Sequence, residues 1–215
     1  MPNLPPFLAR YDFSVGEQLI RLKTMNSLLR VFLVLLLPFA GLAEEAKVPT
    51  VDPSEMFDGF GPYWYSDHLK AMGEEALPPL AKDKDAVVYR FTCLRTFDHP
   101  FSIKISKTKD GFTLRRKVLS GKGGYEPGKL QKSVKSALKA ETVAALDKLL
   151  TETKFNELKA KIEEGGLDGS QWFLEVVKNG EYRIVDRWSP DEGSVMRKIG
   201  EWFLSAAKWR PQDLY

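Results

Sequence analysis

The sequence predicts an α+β fold, a mostly antiparallel sheet of about five or six strands with helices packed on one face, and three observations lead to it. Segments 86–97 (AVVYRFTCLRTF), 101–107 and 112–120 carry the branched and aromatic side chains that suit strands. Asp110-Gly111 and Asn179-Gly180 each separate two such segments, and these dipeptides favour two-residue hairpin turns because both residues tolerate positive φ. Segments 140–152 and 194–208 repeat apolar residues at helical spacing.

The chain begins with segments that stand outside this fold. From Met25 the sequence reads MNSLLRVFLVLLLPFAGLA, with one cation (Arg30), an apolar run from Val31 to Ala40 and small residues at Gly41 and Ala43. This is the layout of a secretory signal peptide over 25–43, with cleavage after Ala43, and the run is too short for a membrane span. Residues 1–24 then read as an artefactual extension ahead of the true start, and 44–61, rich in Pro, Asp, Glu and Gly, as an arm. Residues 62–215 remain as a single domain. Four Lys/Arg and two Asp/Glu fall within 1–43, so the remainder carries 28 basic and 27 acidic residues and does not point to nucleic acid. A periplasmic or secreted location is expected. Cys93 is alone, so no internal disulfide forms, and in a strand-like run it is expected to be a small buried apolar residue.

Taken in order, Pro62 opens a helix expected over 62–75, with Tyr65, Leu69, Met72 and Leu77 on one stripe and Pro78-Pro79 closing it. Phe57, Phe60, Tyr63, Trp64 and Tyr65 form an aromatic cluster read as an anchor for the arm, and His68 is expected at the surface. With Asp110-Gly111 as the loop, Lys109 pairs Phe112, Ile105 faces Arg116, Ile103 faces Val118 and Lys104 faces Lys117, a like-charge pair that needs solvent or an anion. GKGGYEPG at 121–128 is a glycine-rich connection between strands that lacks the phosphate-loop arrangement. Residues 129–138 fit a strand, and 140–152 a helix with Val143, Leu146, Leu149 and Leu150 inward and Phe155 and Leu158 docking its exit. With Asn179-Gly180 as the second loop, Trp172, Leu174, Val176, Arg183, Val185 and Arg187 share one side, and Phe173, Glu175, Val177, Tyr182, Ile184 and Asp186 the other. The pairing sets Trp172 against Arg187 as a cation–π contact. Ser189-Pro190-Asp191-Glu192 has the capping-box pattern ahead of the last helix.

The combination of YRF at 89–91, GKGGYEPG at 121–128, LDGSQWFLE at 167–175 and RWSP at 187–190 resembles a family of uncharacterised secreted bacterial proteins over about residues 86–208. The resemblance implies shared architecture and an extracytoplasmic setting and carries no activity. Where the family pattern has a capping Ser before the middle helix, this chain has Lys139.

Two readings of function follow. Glu175 and Asp186 are the candidate catalytic carboxylates, since glycosidic hydrolysis needs two such groups with unequal pKa values; pairing with strand arginines such as Arg90 or Arg115 would instead make them structural. A Cys93–His99 pair lacks a third group to orient the His. The reading preferred here is a secreted, non-enzymatic binding or accessory protein, with Lys122, Tyr125, Asp168, Trp172 and Arg187 as ligand-binding candidates and an anionic envelope component or an acidic protein as partner. An open sheet face displaying Lys104, Arg115, Lys117, Arg183, Arg187 and Trp172 is its expected surface. The sequence has no metal-ligand cluster and calls for no cofactor. A carboxylate-dependent hydrolase acting on an envelope glycan is the alternative.

Overall fold

The computed structural model describes residues 61–162 and 166–215. The expected extension, signal peptide and arm through residue 60 lie outside the described residues. Within them, six strands form one antiparallel sheet: β1 (Val88–Arg95), β2 (Phe101–Thr108), β3 (Gly111–Leu119), β4 (Leu130–Leu138), β5 (Ser170–Lys178) and β6 (Glu181–Trp188). Their spatial order is β4-β3-β2-β1-β5-β6. The helices are α1 (Gly61–Ala71), α2 (Ala140–Glu152) and α3 (Val195–Ala206), with short 3-10 turns at Pro78–Lys82 and Phe155–Glu157.

The second hairpin has the expected register from Lys178 opposite Glu181 to Trp172 opposite Arg187. Asn179 and Gly180 take φ of 55° and 81°, as a type I′ turn requires. The first hairpin turns one residue earlier than expected. Thr108 pairs Gly111 and Lys109-Asp110 makes the turn, so Ile105 faces Leu114, Ile103 faces Arg116 and Lys104 faces Arg115. Gly111, at φ 118°, takes the conformation that follows such a turn, which moves the glycine from the loop into the strand. Because the register shifts by two, every side chain keeps the face it was expected to have.

Cys93, Tyr89 and Phe91 of β1, Phe101, Ile103 and Ile105 of β2, and Trp172, Leu174 and Val185 of the second hairpin form the main core with Val143 and Leu146 of α2 and Ile199 and Phe203 of α3. This is the face on which the middle and C-terminal helices pack. Lys139 is the N-cap of α2 and makes no side-chain cap bond. The cap of α3 is Ser194, whose hydroxyl accepts from the Arg197 amide at 3.3 Å. Ser189, the residue expected in that role, has φ 34° and instead accepts from the Ser170 amide at 2.9 Å.

The opposite face was expected to be open, and α1 covers its centre. Tyr65 and Leu69 pack with Leu94, Phe173 and Ile184. The helix ends at Ala71, ahead of the proline pair, because Gly73 adopts φ 60° and the amides of Glu74 and Gly73 bond back to the carbonyls of Leu69 (2.9 Å) and Lys70 (2.8 Å). That reciprocal pattern is a Schellman stop. Pro78-Pro79 begins the following 3-10 turn instead. His68 is fully buried on the inward stripe of α1, not at the surface, and its Nδ1 hydrogen-bonds the Trp64 carbonyl at 2.8 Å.

One glycine sets the distance between α3 and the sheet. A Cβ at Gly200 would lie 2.2 Å from Cζ3 of the buried Trp172 ring. Gly200→Ala is therefore expected to destabilise the domain by about 1 to 3 kcal/mol through overpacking, read as a lower urea midpoint with an unchanged slope.

Candidate functional site

The two faces of the sheet differ in chemistry because strand alternation sends β1 residues Tyr89, Phe91 and Cys93 to one side and Val88, Arg90 and Thr92 to the other. On the second side the cross-strand neighbours run Lys135, Arg115, Lys104, Arg90, Glu175 from β4 to β5. Four cations and one carboxylate thus share a row. How each is satisfied decides what this face can do.

Arg90 and Glu175 are both almost completely buried. Arg90 donates from Nε to Oε2 of Glu175 at 2.6 Å and from Nη2 to Oε1 at 2.8 Å, a bidentate pair. The hydroxyls of Tyr65 and Tyr182 donate to the same carboxylate at 2.5 and 3.0 Å, and Arg90 Nη1 donates to the Glu75 carbonyl at 2.7 Å. Burial, and then the Glu175 charge, raise both phenols well above the ordinary tyrosine range, which keeps them protonated as donors. Burial works against the Arg90 charge, but Glu175 outweighs it and the guanidinium is held above its usual range. Each Glu175 oxygen therefore receives two donors, which is the structural pairing with Arg90 set out above as the alternative to catalysis.

Asp186 shares this side of the sheet and is also buried. It accepts from the Gln171 side-chain amide. Burial pushes its carboxyl up to about 6, with Gln171, Lys161 and Arg187 pulling it back only in part. A cleft of about 420 Å³ lies elsewhere, lined by Tyr89, Asp147, Phe155, Lys178, Tyr182 and Arg183 among others, and neither Glu175 nor Asp186 lines it.

Glu74, thrown onto the sheet by the Schellman turn, is the residue that sequence reasoning missed. Its side chain is 1% exposed, and Lys104 and Lys117 approach its two oxygens at 2.6 Å each. Burial pushes this carboxyl up, but the hydrogen bonds and charges of the two lysines win and lower it below the ordinary range. The anion that a Lys104–Lys117 neighbourhood called for is thus the chain's own. A GEE run just past a helical stripe was the available signal, but only the turn geometry shows where it points.

Beyond this neutralised centre the charge is open. Residues 101–139 contain eleven Lys/Arg and two Asp/Glu in a chain whose net charge is +3. Eight of the eleven are exposed, including Arg115 and Lys135 on the second face and Lys107, Lys122 and Lys132 around it. Whole-chain charge hid this segregation, which a window over β2–β4 would have found.

The remaining candidates do not converge. Trp172 is fully buried in the core, where the guanidinium lying 5.3 Å over its ring belongs to Arg197. Arg187, expected to stack there, donates to the carbonyls of Lys159 (2.8 Å) and Asp186 (2.5 Å). Arg183 lies on the core side of the sheet and donates to the Leu158 carbonyl, so neither arginine joins the Lys104 and Arg115 surface. Asp168 is exposed in the loop entering β5. Lys122 and Tyr125 are exposed on the 121–128 loop, which is pinned to the end of β1 by the Gly123 amide donating to the Arg95 carbonyl at 2.7 Å. Cys93 is buried, with its thiol pushed up to about 12 chiefly by burial, whereas His99 is exposed and bonds the Gly121 carbonyl. Among the described residues no group of three or more His, Cys, Asp or Glu could hold a metal ion, and no helix is long and apolar enough to cross a membrane. No family model matches the chain, and no curated protein matches it.

Breaking the central pair leaves a buried charge, so Glu175→Gln or Arg90→Met is expected to cost about 3 to 5 kcal/mol, and Arg90→Met/Glu175→Leu much less than the sum of its parts; denaturant unfolding of the four proteins checks this. Asp186 gives a pH signature. Its folded pKa is raised from 3.8 to about 6, so the native state binds the extra proton in that window and stability falls as pH rises through it. The stability of Asp186→Asn relative to the parent should therefore increase with pH between those values and level off above, measured by urea titrations across that range.

Proposed function

We propose that this chain is a non-enzymatic binding or accessory protein, exported from the cytoplasm, that docks an anionic component of the cell envelope on the β2–β4 half of its sheet. The observation that carries this reading is the charge segregation: eleven cations against two carboxylates over residues 101–139, eight of the cations exposed. Such a field raises the local concentration of anions and steers their approach. Lys104 and Lys117, held by Glu74, form the rigid base of this surface, and Arg115, Lys132 and Lys135 supply the charge that reaches solvent. Export rests on the signal-peptide pattern of 25–43, which lies outside the described residues. The alternative, a carboxylate-dependent hydrolase, has less to support it, because Glu175 already receives four donors.

Binding to a soluble polyanion such as dextran sulfate should fall by about tenfold or more between low salt and about 1 M salt, where the Debye length shrinks to about 3 Å. Lys132→Glu/Lys135→Glu should weaken it further at low salt and leave the thermal midpoint close to the parent's, because both side chains are exposed. Salt-independent binding, or a charge reversal without effect, removes the reading; isothermal titration at several salt concentrations gives the result.

A further inference from the structure

One end of the sheet carries a second feature. β1 ends and β2 begins there, β3 ends and β4 begins there, and β5 starts there. The connecting loops touch: the Gly123 amide donates to the Arg95 carbonyl at 2.7 Å, and the Thr96 amide to the Gly169 carbonyl at 2.9 Å. From these loops project Phe97 (47% exposed), Tyr125 (60%) and Leu167 (92%), with Leu130 (44%) at the start of β4. They are four of the five large apolar side chains described as exposed, so their placement at one end is not the even scatter of an ordinary surface. Phe97 and Tyr125 meet with ring centroids 6.3 Å apart. The exposed cations Lys122 and Lys129 flank them on the same loop.

We infer that this loop end inserts into a bilayer surface rich in anionic lipid, with Phe97, Tyr125 and Leu167 entering the headgroup region while Lys122, Lys129 and the basic β2–β4 half face the phosphates. The inference rests on the anion-docking reading above and names its ligand as a lipid surface. Loop tips that project apolar rings form no pocket for a matched partner, but a fluid interface accepts them without shape complementarity. Tyr in particular suits that depth, with its ring apolar and its hydroxyl wet. Anionic headgroups then complement the lysines, each contributing through a field that decays within a Debye length. Two weak signals acting together, apolar insertion and basic charge, are what stable peripheral attachment takes.

The test uses the full chain with an environment-sensitive fluorophore placed through Tyr125→Cys, and separately through Asp110→Cys, an exposed turn at the far end of the sheet. Labelling is selective because Cys93 is buried. With vesicles of phosphatidylglycerol and phosphatidylcholine the probe at 125 should shift to the blue, the probe at 110 should not, and pure phosphatidylcholine should give neither shift. Phe97→Ser/Tyr125→Ser should lower vesicle partition by about tenfold and leave dextran sulfate binding unchanged. Equal shifts at 125 and 110, or vesicle binding indifferent to the double substitution, overturn insertion. Binding to dextran sulfate without any shift at 125 overturns the lipid surface and leaves the anion-docking reading standing, whereas binding to neither overturns both.

Discussion

The buried Arg90–Glu175 pair is the constraint on which the two halves of the sheet depend. β1 and β5 are the strands where the four-stranded meander meets the second hairpin, and 85 positions of chain separate the two charges. Hairpin turns fix the registers within each half, but no turn fixes the register between them. A slip by one residue would place either charge against an apolar neighbour, at the cost of an uncompensated buried ion. The bidentate geometry, with the two tyrosine hydroxyls completing the carboxylate, makes one register far better than the rest. Tyr65 extends the same constraint to α1, which is thereby held over the face that would otherwise be open.

Glu74 repeats this logic one row away. Three cations, Arg90, Lys104 and Lys117, come within salt-bridge distance of its carboxylate. Together with Glu175 it turns the inner half of the second face into a saturated network, in which polar groups serve position and not recognition. The outer half has no comparable set of carboxylates in its own sequence, and its cations stay in water. The same ladder of basic residues therefore changes role across the sheet: at β1 and β2 it holds the fold, and at β3 and β4 it remains able to meet a partner. At the sheet's other edge the Ala160 carbonyl takes the Asp186 amide at 2.7 Å, so the chain covers β6 and leaves β4 exposed. That asymmetry puts the open charge and the open edge on the same side, where edge lysines also discourage pairing with another strand.

The sequence by itself determined the element order, the faces and one hairpin register, because these are set by local chemistry. Alternation assigns each strand residue to a side, Asn179-Gly180 can adopt the positive φ values that few residues accept, and Tyr65, Leu69, Met72 and Leu77 are buried as their spacing requires. Glu175 with Arg90 was legible as one of two arginine pairings, but the choice of Arg90 needed the β1–β5 register, which is a long-range contact. Trp172 and His68 could not be placed from spacing alone, since a polar-tipped ring suits a surface or a core and only the packing of α3 and α1 selects the core. Glu74 lay beyond reach for a related reason: a glycine stop redirects the chain by an angle that no periodicity records. The loop end where Phe97, Tyr125 and Leu167 gather joins residues from three separate connections. Only the tertiary structure could bring them to one place, because their proximity comes from strand order and not from any neighbourhood in the chain.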